Sequence, residues 1–128
     1  MLNSNEFLES CSKLSELGLK IPIKVGSRVS RGFADLGYEE FYLLPSNKLL
    51  SIYTAKTSDW LKEHQKFFFA VPDADQIISA IRQELIDVKV NLSGIEWQVV
   101  LKNNHKAVEN TGSSIINLLI KSYLELKS

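Results

Sequence analysis

The chain has a single cysteine, a single methionine, three prolines and two histidines, and it has no net charge because fifteen Lys plus Arg meet fifteen Asp plus Glu. Each shortage excludes something. Cys11 alone cannot close an internal disulfide, and no second cysteine is there to build a thiolate zinc clasp, which fits a reducing, cytoplasmic setting. Charge balance removes any global pull toward nucleic acid or an anionic membrane. The longest apolar cluster, "IINLLI", is broken by Asn117 and is far shorter than the roughly 20 residues a membrane span needs. "MLNSNEFLES" has neither the basic region nor the apolar core of a secretion signal. We expect one soluble domain over residues 1–128, long enough to bury a core without disulfides or metal.

Chemistry-bearing residues are equally sparse. His64 sits beside Glu63 in "WLKEHQK" and His105 in "KNNHKAVE"; a small catalytic centre would require all three to converge, and neither histidine has a partner at metal-ligand spacing. Cys11 falls on the apolar face of a helical pattern, as a buried structural thiol does. "TGSS" is not a nucleophile elbow, and Gly26, Gly32 and Gly37 do not form a phosphate-cradling loop. No catalytic residue, cofactor or metal ligand is identified, so a non-enzymatic protein is expected.

What is present is architecture. Asn3 and Glu6 are spaced as a capping box, and Phe7, Leu8, Cys11, Leu14 and Leu17 repeat at helical spacing up to Gly18. "LKIPIKVGSRVSRGFADLG" is irregular, with an edge strand expected near residues 21–25. "YEEFYLL" and "KLLSIYTA" flank Pro45, Ser46 and Asn47 as a hairpin. "TSDWLKEHQK" is a short helical turn or a loop, leading into "FFFAV" as a strand. Asp73 and Gln76 cap a helix whose face carries Ile77, Ile78, Ile81 and Leu85. "VKVNL" and "IEWQVVL" form a tight hairpin about Ser93–Gly94, in which Trp97 shares a core face with Ile95, Val99 and Leu101. After the strand-like "HKAVE", Asn110 or Thr111 caps a last helix carrying Ile115, Ile116, Leu119 and Tyr123.

The parallel between "FAVPDADQIISAIRQEL" and "KAVENTGSSIINLLIKSYL" suggests a leading helix followed by two tandem strand-strand-strand-helix units. The expected fold is α+β, a mainly antiparallel sheet with helices beginning near residues 4, 74 and 112 packed largely on one side. Three consecutive rings at Phe67, Phe68 and Phe69 then require cover on both sides of the sheet, with Phe68 facing one layer and Phe67 and Phe69 the other.

The hairpin, "FAVPDADQIISAI", "IEWQVVL" and "SSIINLLIKSYLEL" together resemble small uncharacterised proteins of phages, prophages and gut bacteria. These often show a strand, a proline step into a helix, a tryptophan-bearing strand and a serine-capped final helix. The resemblance covers Val71 to Ile81, Trp97 and Ser113 to Leu119, and departs over the first forty residues. It implies an accessory protein of a mobile element or its bacterial host, and supplies no functional residue.

Two binding readings follow. A protein-interaction or self-association module, including a homodimer, would use an exposed sheet edge or the aromatic surface at Trp60, Phe67 and Phe69. The alternative is a nucleic-acid-associated accessory protein using Lys20, Lys24, Arg28 and Arg31, with Phe33 stacking on a base.

Overall fold

Leu8, Cys11 and Leu14 come round to one side of an α-helix and are buried together in α1 (Ser4–Glu16). Gly18, with φ of 85°, ends it: its N–H donates to the Ser15 carbonyl and that of Leu19 to the Leu14 carbonyl, a Schellman arrangement that returns Leu19 to the core. The computed structural model describes residues 4–32 and 37–128, so the expected cap Asn3 and the proposed base-stacking Phe33 lie outside the described residues.

The chain then runs through β1 (Arg28–Gly32), β2 (Tyr38–Leu44), β3 (Lys48–Ser51), β4 (Thr57–Asp59), a 3-10 helix (Lys62–Phe67), β5 (Phe69–Ala70) and α2 (Ala74–Gln83). It closes with β6 (Asp87–Ser93), β7 (Glu96–Lys102), β8 (Ala107–Gly112) and α3 (Ile115–Lys127). The fold is α+β, but the described residues form two antiparallel sheets where one was expected: five strands in the order β4-β3-β2-β1-β5, and three in the order β6-β7-β8. Because the first sheet contains a meander of four strands and a returning fifth, the two halves are not copies of a single three-strand unit. The edge strand expected near 21–25 is irregular chain; the strand begins at Arg28 and lies inside the sheet.

The strand order dictates the path of one segment. β4 and β5 lie at opposite edges, so residues 60–68 must traverse the sheet, and they bring Trp60 and Phe68 onto Val29, Phe41, Leu43 and Leu49. Phe68 meets Phe41 and Trp60 edge-on, with ring centroids 5.6 and 4.9 Å apart. One residue later Phe69 points the other way into the main core, where Tyr38 meets it edge-on at 5.7 Å. Phe67 belongs to the 3-10 helix rather than to the strand and is 61% exposed, which corrects its expected pairing with Phe69. The three rings therefore divide among a small core, the main core and solvent.

Asp73 caps α2 by accepting from the Gln76 N–H (2.8 Å), while the Gln76 side chain accepts from the Asp73 N–H (3.0 Å). α2 ends before Leu85, which is not on its buried face as the spacing predicted. α3 begins three residues later than expected: residues 110 and 111 are still in β8, and Ser114 is the cap. One face of the second sheet, with Val88, Val99 and Leu101, packs with all three α-helices around Ile77, Ile81, Leu119 and Tyr123. Its other face presents Lys89, Gln98 and Glu109, the last two hydrogen-bonded across strands, to water.

The division of the phenylalanines is measurable. Phe68→Ala should lower unfolding free energy by about 2–4 kcal/mol in urea titrations, whereas Phe67→Ala should change it by no more than about 0.5 kcal/mol.

Candidate functional site

The aromatic contact surface expected from the sequence is largely used internally. Phe69 is buried and unavailable to a partner, and Trp60 is half-buried against Phe68. Phe67 stays exposed, with the Lys66 ammonium 5.2 Å from its ring centre.

The basic segment does not form one strip. Arg28 and Arg31 are three residues apart on β1 and so leave opposite faces of the sheet. Arg28 forms an ion pair with Glu40. Arg31 lies 3.8 Å from a Glu39 carboxylate oxygen, its guanidinium stacked 5.5 and 5.4 Å from the Phe41 and Phe68 rings. Lys20 and Lys24 are exposed on the irregular chain before β1, Lys20 beside Leu17, Gln83 and Glu84.

An open cleft of about 420 Å³ lies between the chain at Lys24–Arg28, Tyr42 of β2, the entry to α2 and Ile116. Its polar lining serves the fold. Asp73 and Gln76 cap each other, Gly26 N–H donates to the Leu43 carbonyl (2.7 Å), and Val71 N–H donates to the Arg28 carbonyl (2.9 Å).

The titratable groups are similarly placed. His64 rides on the 3-10 helix of the first sheet's crossing segment and His105 on the turn between β7 and β8, both exposed, and neither imidazole has a hydrogen-bond or ion-pair partner among the described residues. Burial pushes the Cys11 thiol up to about 12; Arg28 lowers it and Glu40 raises it, both by smaller amounts. The site is thus unsuited to a thiolate nucleophile. The buried Tyr123 hydroxyl donates to the Glu84 carboxylate (2.9 and 3.0 Å), which also pairs with Lys127 at 2.9 Å. Burial first, then Glu84, raise the Tyr123 pKa. This network locks α3 onto the end of α2 in the way a structural clasp does.

The feature that the fold leaves open is the outer edge of β6. Gly94, with φ of 66°, and Ile95 form the two-residue turn between β6 and β7, one residue later than expected, so Ser93 and Glu96 close the hairpin as its hydrogen-bonded pair. Alternation along an antiparallel ladder then aims the N–H and C=O of Asp87, Lys89, Asn91 and Ser93 at β7, and those of Val88, Val90 and Leu92 away from it. The Arg82 guanidinium donates to the Val88 carbonyl (3.4 Å), consistent with that direction. Among the described residues, the N–H and C=O of Val90 and Leu92 have no protein partner.

Exposed apolar side chains stand on this strand and just beyond each of its ends. Leu92 is 55% exposed. Ile95 was expected in the core with Trp97 but stands on the tip of the turn, 94% exposed. Leu85, just before β6, is 91% exposed and holds a left-handed φ of 62°, the conformation that Gly18 takes after α1. The sequence pattern put Leu85 and Ile95 on core faces and did not single out Leu92. The available signals were a seven-residue strand with only two charges beside a Gly-Ile turn, and a leucine where a helix end favours glycine.

Cys11 and Tyr123 both have raised pKa values, so each favours folding while protonated. The unfolded chain loses these protons first as pH rises, so the contribution of these two groups to stability is fully present below about pH 9 and falls between pH 9 and 12. Tyr123→Phe should flatten that fall above about pH 10 and, at neutral pH, cost about 1–2 kcal/mol in chemical denaturation.

Compared with protein-family models, with curated proteins and with solved structures, the chain matches none.

Proposed function

We propose that this is a non-enzymatic protein-interaction module that binds through the open edge of β6. The observation that carries the reading is the row of outward-facing backbone groups at Val90 and Leu92, flanked by Leu85, Leu92 and Ile95. An unpaired strand of this length is a template for another strand: main-chain hydrogen bonds supply the attachment, and the exposed side chains supply selectivity. The alternative through Lys20, Lys24, Arg28 and Arg31 is less favoured because Arg28 and Arg31 leave opposite faces of the sheet and each lies against a glutamate. An accessory role in a mobile element or its host is compatible with such a module. No helix among the described residues is long and apolar enough to cross a membrane.

The test is native mass spectrometry of the protein captured gently from its source cells, comparing wild type with Val90→Pro. Proline removes an N–H that the fold does not use and obstructs strand addition. The wild type should carry a discrete protein partner, either another copy or a different chain, that the variant loses. A bare wild-type monomer would overturn the reading. So would a nuclease-sensitive nucleic acid, or a complex that Val90→Pro leaves intact.

A further inference from the structure

Resting on the reading of β6 as the binding edge, we infer that its occupant is a second copy of the chain, paired antiparallel across a two-fold axis through Val90. The argument is the symmetry of what the edge exposes. Val88 and Leu92 lie two residues on either side of Val90, and all three direct their backbone groups outward. Among the described residues Leu85 and Ile95 are the two most exposed large apolar side chains, and they lie five residues on either side of the same valine, just beyond the two ends of β6. Antiparallel pairing about Val90 sets Val90 against Val90 and Val88 against Leu92 of the other copy, pairs that exchange main-chain hydrogen bonds, the Val88 carbonyl having a second lone pair beside the one that accepts from Arg82; it also brings the Leu85 end of one β6 to the Ile95 turn of the other.

Charge agrees with this register. On the solvent face it opposes Lys89 to Asn91 and Asp87 to Ser93, with no like charges facing each other. Register shifted by one residue to centre on Lys89 would place two ammonium groups directly opposite, which is unfavourable. The pairing joins two three-stranded sheets into one of six and covers apolar surface that the single chain leaves in water. It also gives the left-handed Leu85 a contact, where a helix end with no further role would favour glycine.

Sedimentation equilibrium on the purified full chain tests the inference, with circular dichroism to establish that each variant is folded. Wild type should sediment as a dimer, twice the 14.5 kDa chain mass. Val90→Pro should raise the dissociation constant by at least about tenfold. Leu85→Lys and Ile95→Asp each change an exposed side chain and should each weaken the dimer; combined in one chain they place Lys opposite Asp in both halves and should restore most of the association. A wild-type monomer across the accessible concentration range would overturn the inference, as would a dimer indifferent to these changes or a failure of the combined variant to recover. The interaction reading stands or falls separately, on whether Val90→Pro removes a partner captured from cells.

Discussion

The first half of the molecule depends on one topological constraint: β5 pairs with β1 and not with β4, so the chain must cross the face of its own sheet. A two-residue strand has too few hydrogen bonds to hold that position alone. The adjacent rings hold it, Phe68 on Phe41 and Trp60 on one side, Phe69 among Tyr38 and the main core on the other. Fully burying an aromatic side chain contributes roughly 1.5–3 kcal/mol. Two rings alternating across one strand thus fasten the small core to the large one. Val71 N–H then continues the pairing to the Arg28 carbonyl, and Asp73 starts α2 two residues later.

Main-chain groups account for how much of this was legible. The capping box at Asp73 and Gln76 is local, its two hydrogen bonds being made within four residues, and the helix it starts was readable. The β2–β3 hairpin was readable for a similar reason. Its turn composition permits the left-handed Ser46 and Asn47, with φ of 64° and 56°. The existence of the β6–β7 hairpin was also legible, but its register was not. Moving the turn from Ser93–Gly94 to Gly94–Ile95 leaves the core face of Trp97, Val99 and Leu101 unchanged and expels Ile95 to the tip.

What depends on distant pairing was hidden. Two sheets instead of one, the position of β5, and the separation of exposed Phe67 from buried Phe69 all follow from which edge each strand joins, and nothing in a strand's own residues states its neighbour. The basic segment illustrates the same point. Four cations without an intervening acid look like one surface in the sequence, yet strand alternation separates Arg28 from Arg31, and β2 supplies Glu40 and Glu39 to meet them.

The four sheet edges also differ in a way that bears on association. β4 has three residues, including Asp59 paired with Lys48, and β5 has two. β8 has Glu109 and Thr111 among the residues directed outward, while Asn110 ties it to Ser122 and Glu125 of α3. Short strands, charge and covering side chains are the ordinary protections of an edge. β6 is seven residues long, with its two charges, Asp87 and Lys89, in its first half and Arg82 on the Val88 carbonyl at the same end, so its second half has none of these protections. Beyond Val88 its open row is Val90 and Leu92, followed by a turn that carries Ile95. A charge at Leu92 or Ile95 would have protected this edge without disturbing the core, since both side chains are mostly in solvent. The apolar choice therefore makes physical sense as a surface that another strand covers.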